Sequence, residues 1–197
     1  KDGFTDFFLG GAMGSGLALS DGRGAFAVTP APAATAGALA AVFVDYDDDG
    51  VLDLLTVTAQ GPRLLRNLGG SWADVTAAAF GASQPGDFAG AALASGDLDG
   101  DGDEDAVVAT SKELWVFTNE GGNRNRSFAV QISGRVSNKG GVGAKVEIRA
   151  GSLRQKLESS AAVPMAAPAD LVFGLGSRPL PDALRVIWAS GVVQTEI

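Results

Sequence analysis

The stretch DLDGDGDED, Asp97 to Asp105, decides how this chain is read. Six of its nine residues are acidic: Asp97, Asp99, Asp101, Asp103, Glu104 and Asp105. Carboxylates this close repel one another in water. Either the stretch is a solvated acidic turn, or a cation sits among the acids. A second copy favours the cation. DYDDDGVLD, Asp45 to Asp53, lies 52 residues earlier, and both copies fit D-x-D-x-D-G-x-x-D. The N-terminal KDGFTD places Asp2, Gly3 and Asp6 at the last five positions of the same pattern, so a beheaded third copy opens the chain. Two acids are too few ligands, and that copy is expected to lack a segment or to hold no ion. A period of about 50 residues signals an array or a propeller.

The motif suits a hard cation. Calcium takes six to eight oxygens, and alternate Asp side chains on a tight loop supply them. In the first copy Asp45, Asp47, Asp49 and Asp53 offer carboxylates and Val51 its carbonyl. In the second, Asp97, Asp99, Asp101 and Asp105 offer carboxylates and Asp103 its carbonyl. Gly50 and Gly102 permit the sharp turn. The side chains of Asp48, Asp103 and Glu104 read as solvated extras. About two calcium sites are expected. Magnesium fits less well, because it keeps its waters and demands a stricter octahedron.

An EF-hand is excluded. Its loop needs Glu at position 12, where this chain has Thr56 and Val108. The flanks also disagree with helix: AAVF before the first loop and DLLTVTA from Asp53 are β-branched and apolar with no helical period, and AALASG and DAVVAT repeat the arrangement around the second. The unit is strand, acidic loop, strand.

These units resemble FG-GAP/VCBS repeats, the blades of integrin-α-type β-propellers. The stretches DFFLGGAMGSGLALSDGRGAFAVT, DLLTVTAQGPRLLRNLGGSWADVT and DAVVATSKELWVFTNEGGNRNRSFAV align as strand, turn, strand, Gly-rich hairpin, strand. The resemblance covers residues 1 to about 125. The rest resembles an ASPIC/UnbV domain, as in cartilage acidic protein-like bacterial proteins. Its carriers are Ser137-Asn138-x-x-Gly141-x-Gly143-Ala144, then Phe173-Gly174-Leu175-Gly176, then Val186-x-Trp188-x-Ser190-Gly191. That family usually has Pro after the Trp, where this chain has Ala189; one altered turn is expected. The tail also reads as β from its residues. In AKVEIRA, Val146 and Ile148 alternate with Lys145, Glu147 and Arg149. ALRVIW, Ala183 to Trp188, is a second short strand, and Pro164, Pro168, Pro179 and Pro181 punctuate the loops.

The expected fold is therefore all-β: partial propeller-like blades over residues 1–125, then a small β-sandwich or barrel of five to seven strands over 126–197. Charge changes at the same place. Residues 1–123 carry 5 basic and 18 acidic side chains, residues 124–197 carry 10 and 5, and the whole is −8.

Composition narrows the chemistry. The chain has no Cys and no His, which removes disulfides, thiolate and imidazole metal sites and a Ser-His-Asp triad. The acidic half would repel nucleic acid. No apolar run reaches the length of a membrane span. The sequence starts without Met and reads as part of a longer protein. GGAMGSG, Gly10 to Gly16, lacks the Lys-Ser/Thr of a phosphate loop. PAPAATAGALAA, Pro30 to Ala41, reads as the connection between blades, and GGNRNR, Gly121 to Arg126, as a solvated linker. Trp72, Trp115 and Trp188 read as core residues.

Both resemblances imply a non-enzymatic, secreted calcium-binding module for interaction or adhesion. Its place would be extracellular, at the cell surface or in the periplasm, where calcium is plentiful. The partner would be a protein or a carbohydrate. The alternative is an accessory domain of a secreted polysaccharide-acting enzyme. Glycoside chemistry needs paired carboxylates, and Asp74, Asp87, Glu113 and Glu147 show no such pairing in the sequence. No catalytic residue and no organic cofactor site is assigned.

Overall fold

The structure is a computed structural model that describes residues 3–11, 14–81, 86–121, 125–135, 138–161 and 170–196. It is nearly all β, built from antiparallel sheets. Asp2 of the beheaded motif lies outside the described residues, as do Pro164 and Pro168.

Three sheets follow the repeat. The first holds β1 (Phe7–Leu9), β2 (Gly16–Ser20) and β3 (Phe26–Pro30). Residues 31–39, with a 3-10 turn at Ala33–Thr35, lead to the second. That sheet runs β4 (Ala40–Val44), β5 (Asp53–Thr58), β6 (Gly61–Asn67) and β7 (Trp72–Asp74) in meander order. A short helix α1 (Thr76–Phe80) leaves it. The third sheet holds β8 (Ala92–Gly96), β9 (Asp105–Ala109) and β10 (Leu114–Phe117). Each full acidic loop joins two antiparallel neighbours, β4 to β5 and β8 to β9.

β5 is buried along its whole length, with Leu55 and Val57 turned to the third sheet. Val44, Leu55, Leu64 and Ala106 form one core between the second and third sheets. Val57, Phe88, Ala91 and Val108 form another, with Trp115 packed against it. Burying such aliphatic side chains stabilises by about 1.5–3 kcal/mol each.

The tail is a small sandwich. β11 (Arg126–Val130) pairs with β14 (Leu171–Gly176), and β13 (Leu153–Glu158), β12 (Lys145–Ala150), β15 (Ala183–Ile187) and β16 (Val193–Glu196) form a second sheet in that order. Ala144, Val146, Ile148, Phe173, Leu175 and Val186 meet in one core. The Asn138 motif is structural. Asn138 exchanges hydrogen bonds with the backbone of Val142, and Gly141 and Gly143 take positive φ to bring Ala144 into the core.

One strand goes elsewhere than the repeat alignment placed it. SFAV aligned as the outer strand of the third blade, yet β11 joins the sandwich through β14. The reason is visible one period back. The residues 52 after Trp72-Ala73-Asp74 of β7 are Arg124, Asn125 and Arg126, which offer no apolar face to a blade. Phe128 instead packs on the sandwich core.

Candidate metal centres

The two acidic loops are built alike. The position-6 glycines have φ of 88° at Gly50 and 96° at Gly102, a conformation that suits glycine. Their N–H groups donate to the first Asp of each motif: Gly50 N to Asp45 Oδ2 at 2.9 Å, Gly102 N to Asp97 Oδ2 at 3.1 Å. The next N–H turns to the fifth position: Val51 N to Asp49 Oδ1 at 2.8 Å, Asp103 N to Asp101 Oδ1 at 2.9 Å. The last Asp is held by the following hairpin: Asn67 N to Asp53 Oδ1 and Asn119 N to Asp105 Oδ1, both at 2.7 Å. Asn67 and Asn119 are also 52 residues apart. The Asn of N-x-G-G, at a fixed distance after the motif, was the available signal for them.

The structure brings together one oxygen each from Asp45, Asp47 and Asp49 within 4.8 Å of one another, and likewise from Asp97, Asp99 and Asp105. Asp53 and Asp101 lie outside these two trios. Asp53, the first residue of β5, is fully buried, and Asp101 is exposed.

The loops differ in burial. Asp45 is 2% exposed, Asp47 8% and Asp53 0%, whereas Asp99 and Asp101 face solvent. In the first loop Asp45 Oδ1 and Asp47 Oδ1 are buried with no hydrogen-bond partner among the described residues. Buried carboxylate oxygens are costly unless paired or bound to a metal. Burial, with the Asp49 and Asp53 charges added, pushes Asp45 up to about 8, and burial alone dominates in lifting Asp53 to about 7. Arg66 offsets part of the charge, with one guanidinium nitrogen 2.6 Å from Asp47 Oδ2 and 3.2 Å from Asp49 Oδ2. It takes the Oδ2 atoms and leaves Asp47 Oδ1 free. Its repeat equivalent is Thr118, so no periodicity pointed to it.

The expectation that Asp48, Asp103 and Glu104 are solvated extras is overturned. Asp48 is 2% exposed and in the left-handed region, with φ of 52°. Burial first, and then the neighbouring Asp103 carboxyl, push it up to about 9. Glu104 accepts from the Asp45 N–H and the Ser95 hydroxyl, and burial raises it to about 7. These three side chains tie the loops to each other. They point inward because the two blades pack face to face, which no local pattern reveals.

The donor set fits a hard divalent ion. It is all oxygen, with unpartnered buried atoms and a glycine turn that draws three carboxylates together. Among the acids outside the motifs, Asp87 is ion-paired with Lys112 at 3.0 Å, and Glu147 lies 3.7 Å from Lys156 and 3.6 Å from Arg185. Trp115 stacks near Phe88 and Phe117, and Trp188 packs on the sandwich core.

Blades with strand, acidic loop, strand units, followed by a sandwich, define the class of protein. Comparison with known families agrees. Residues 45–108 match the FG-GAP-like repeat, and residues 134–196 match ASPIC and UnbV. The chain thus carries an FG-GAP-like repeat followed by an ASPIC/UnbV domain. No curated protein matches it. Among the described residues, no helix is long and apolar enough to cross a membrane.

Proposed function

We propose that the chain is a non-enzymatic calcium-binding interaction module of an extracellular, cell-surface or periplasmic protein. One calcium would sit among Asp45, Asp47, Asp49, Asp53 and the Val51 carbonyl. A second would sit among Asp97, Asp99, Asp101, Asp105 and the Asp103 carbonyl. The observation that carries the reading is the pair of buried, unpartnered oxygens on Asp45 and Asp47 in a motif that recurs one period later. An extracellular setting supplies the millimolar calcium at which modest sites fill. The blades would hold a protein or carbohydrate partner, and the ions would stiffen the loops around them.

Equilibrium dialysis with elemental analysis tests the metal. Close to two calcium ions per chain are expected, and fewer than one would end the assignment. A protein and glycan array, run beside a polysaccharide-degradation screen, tests the rest. Specific binding without turnover is expected; turnover would favour an accessory role in a polysaccharide-acting enzyme.

A further inference from the structure

The first acidic loop is closed by chain that follows it much later. Three consecutive carbonyls accept from three different places. Tyr46 O accepts from Asn119 Nδ2 at 2.8 Å, Asp47 O from Asn125 Nδ2 at 2.8 Å, and Asp48 O from Gly176 N at 2.7 Å. Asn119 lies two residues past β10, Asn125 leads into β11, and Gly176 ends β14. Along β14 the side chains alternate. Phe173 and Leu175 fill the sandwich core, and Gly174 lies against the loop. A Cβ at Gly174 would collide with Asp45 Oδ2 and with the backbone of Asp48. The strand comes this close because no side chain stands there. From β13, an edge strand of the other sheet, Gln155 Nε2 donates to Gly174 O, and a Cβ on Gly50 would come within 2.8 Å of Leu153. The equivalent stretch of the second loop, Leu98, Asp99 and Gly100, is exposed, and its Gly102 turn meets the sandwich at Ser127.

We propose that the two loops are unlike cation sites. The Asp45–Asp53 loop is an interdomain site, whose ion is released when β14 lifts away and whose presence holds the sandwich on the blades. The Asp97–Asp105 loop, with Leu98, Asp99 and Gly100 exposed, is the more open site and exchanges its ion faster. This rests on the calcium reading above. The physical ground is linkage. Seating β14 removes water from carboxylates that Arg66 neutralises in part, so docking is favourable with the ion in place. By reciprocity, docking tightens the ion as much as the ion tightens docking.

Stopped-flow mixing of the calcium-loaded 197-residue chain with a fluorescent chelator tests this. Two release phases of equal amplitude are expected, separated by about 5- to 150-fold, the usual span of coupling between sites. Asp99→Ala should remove the fast phase and keep the slow one. Gly174→Ala should merge the slow phase with the fast one. Asn125→Ala, which deletes a hydrogen bond and adds no clash, should quicken the slow phase by about tenfold. Amide exchange gives an independent readout: the Gly176 N–H should lose protection in chelator. A single release rate, a slow phase indifferent to Asn125→Ala, or a Gly176 amide indifferent to calcium would overturn the proposal. A chain that binds no calcium would instead fail the calcium reading, and this proposal would fall with it.

Discussion

Asp45 sits in a place that ordinarily turns a carboxylate into a carboxylic acid. It is buried, and Asp49 and Asp53 add like charge. Without metal, its raised value of about 8 means that folding favours the proton. Asp53 at about 7 and the upward shift of Asp48 act in the same sense. An acid raised in the folded state contributes stability that is full below its unfolded value near 4 and is lost as pH rises through the folded value. In excess chelator, Tm should therefore fall between about pH 5 and pH 8.5. Calcium reverses the sign. A carboxylate bound to a cation is held below its ordinary value, and stability is then lost as pH falls. Melting curves across that range, with calcium and with chelator, should slope in opposite directions. Parallel slopes would show that no ion engages these carboxylates.

β14 serves two masters through its alternation. Phe173 and Leu175 are fully buried in the sandwich, while Gly174 meets the acidic loop with bare backbone. A strand can do this because successive residues face opposite ways. Phe173→Ala should cost about 3–5 kcal/mol, since it empties a large site in a closed core. Leu98→Ala, at a residue 55% exposed in the second loop, should change stability by less than about 0.5 kcal/mol. Urea unfolding of the two variants checks both. A similar loss from each would mean that the sandwich core is not where the structure puts it. The hairpins after the acidic loops show the same economy: the N–H of Asn67 and of Asn119 holds the last Asp of its own blade. Their side chains diverge, Asn67 bonding Leu52 O in its own loop and Asn119 reaching back to Tyr46 O.

For the molecule as a whole, the metal reading makes calcium part of the fold. Binding to the folded state alone adds about 2.7 kcal/mol per site at a hundredfold excess over Kd. Excess chelator should lower Tm, with most of the loss traced to the first loop, where blades and sandwich meet. Calorimetry in calcium and in chelator measures it. An unchanged curve would exclude a structural ion. The expectation of separate halves at residues 125 and 126 now has a physical counterweight, since the sandwich touches both acidic loops and Lys156 reaches Gly3 O at 3.0 Å.

Some of this was legible in the residues and some was not. The repeat of DxDxDGxxD, its glycine turn, the strands on either side and the alternation of Val146 and Ile148 are local. They depend on backbone preference, side-chain period and the oxygen chemistry of Asp, all readable within ten residues. Which loop would be buried was not local. Asp47 O finds Asn125 across 78 residues, and Tyr46 O finds Asn119 across 73. The inward turn of Asp48 and Glu104, the Arg66 contact and the transfer of β11 to the sandwich likewise depend on which surfaces meet. The sequence by itself determined an all-β chain with two matching acidic loops. The tertiary structure alone decided that one loop faces water and the other lies under a glycine strand, because burial belongs to packed surfaces and not to any motif.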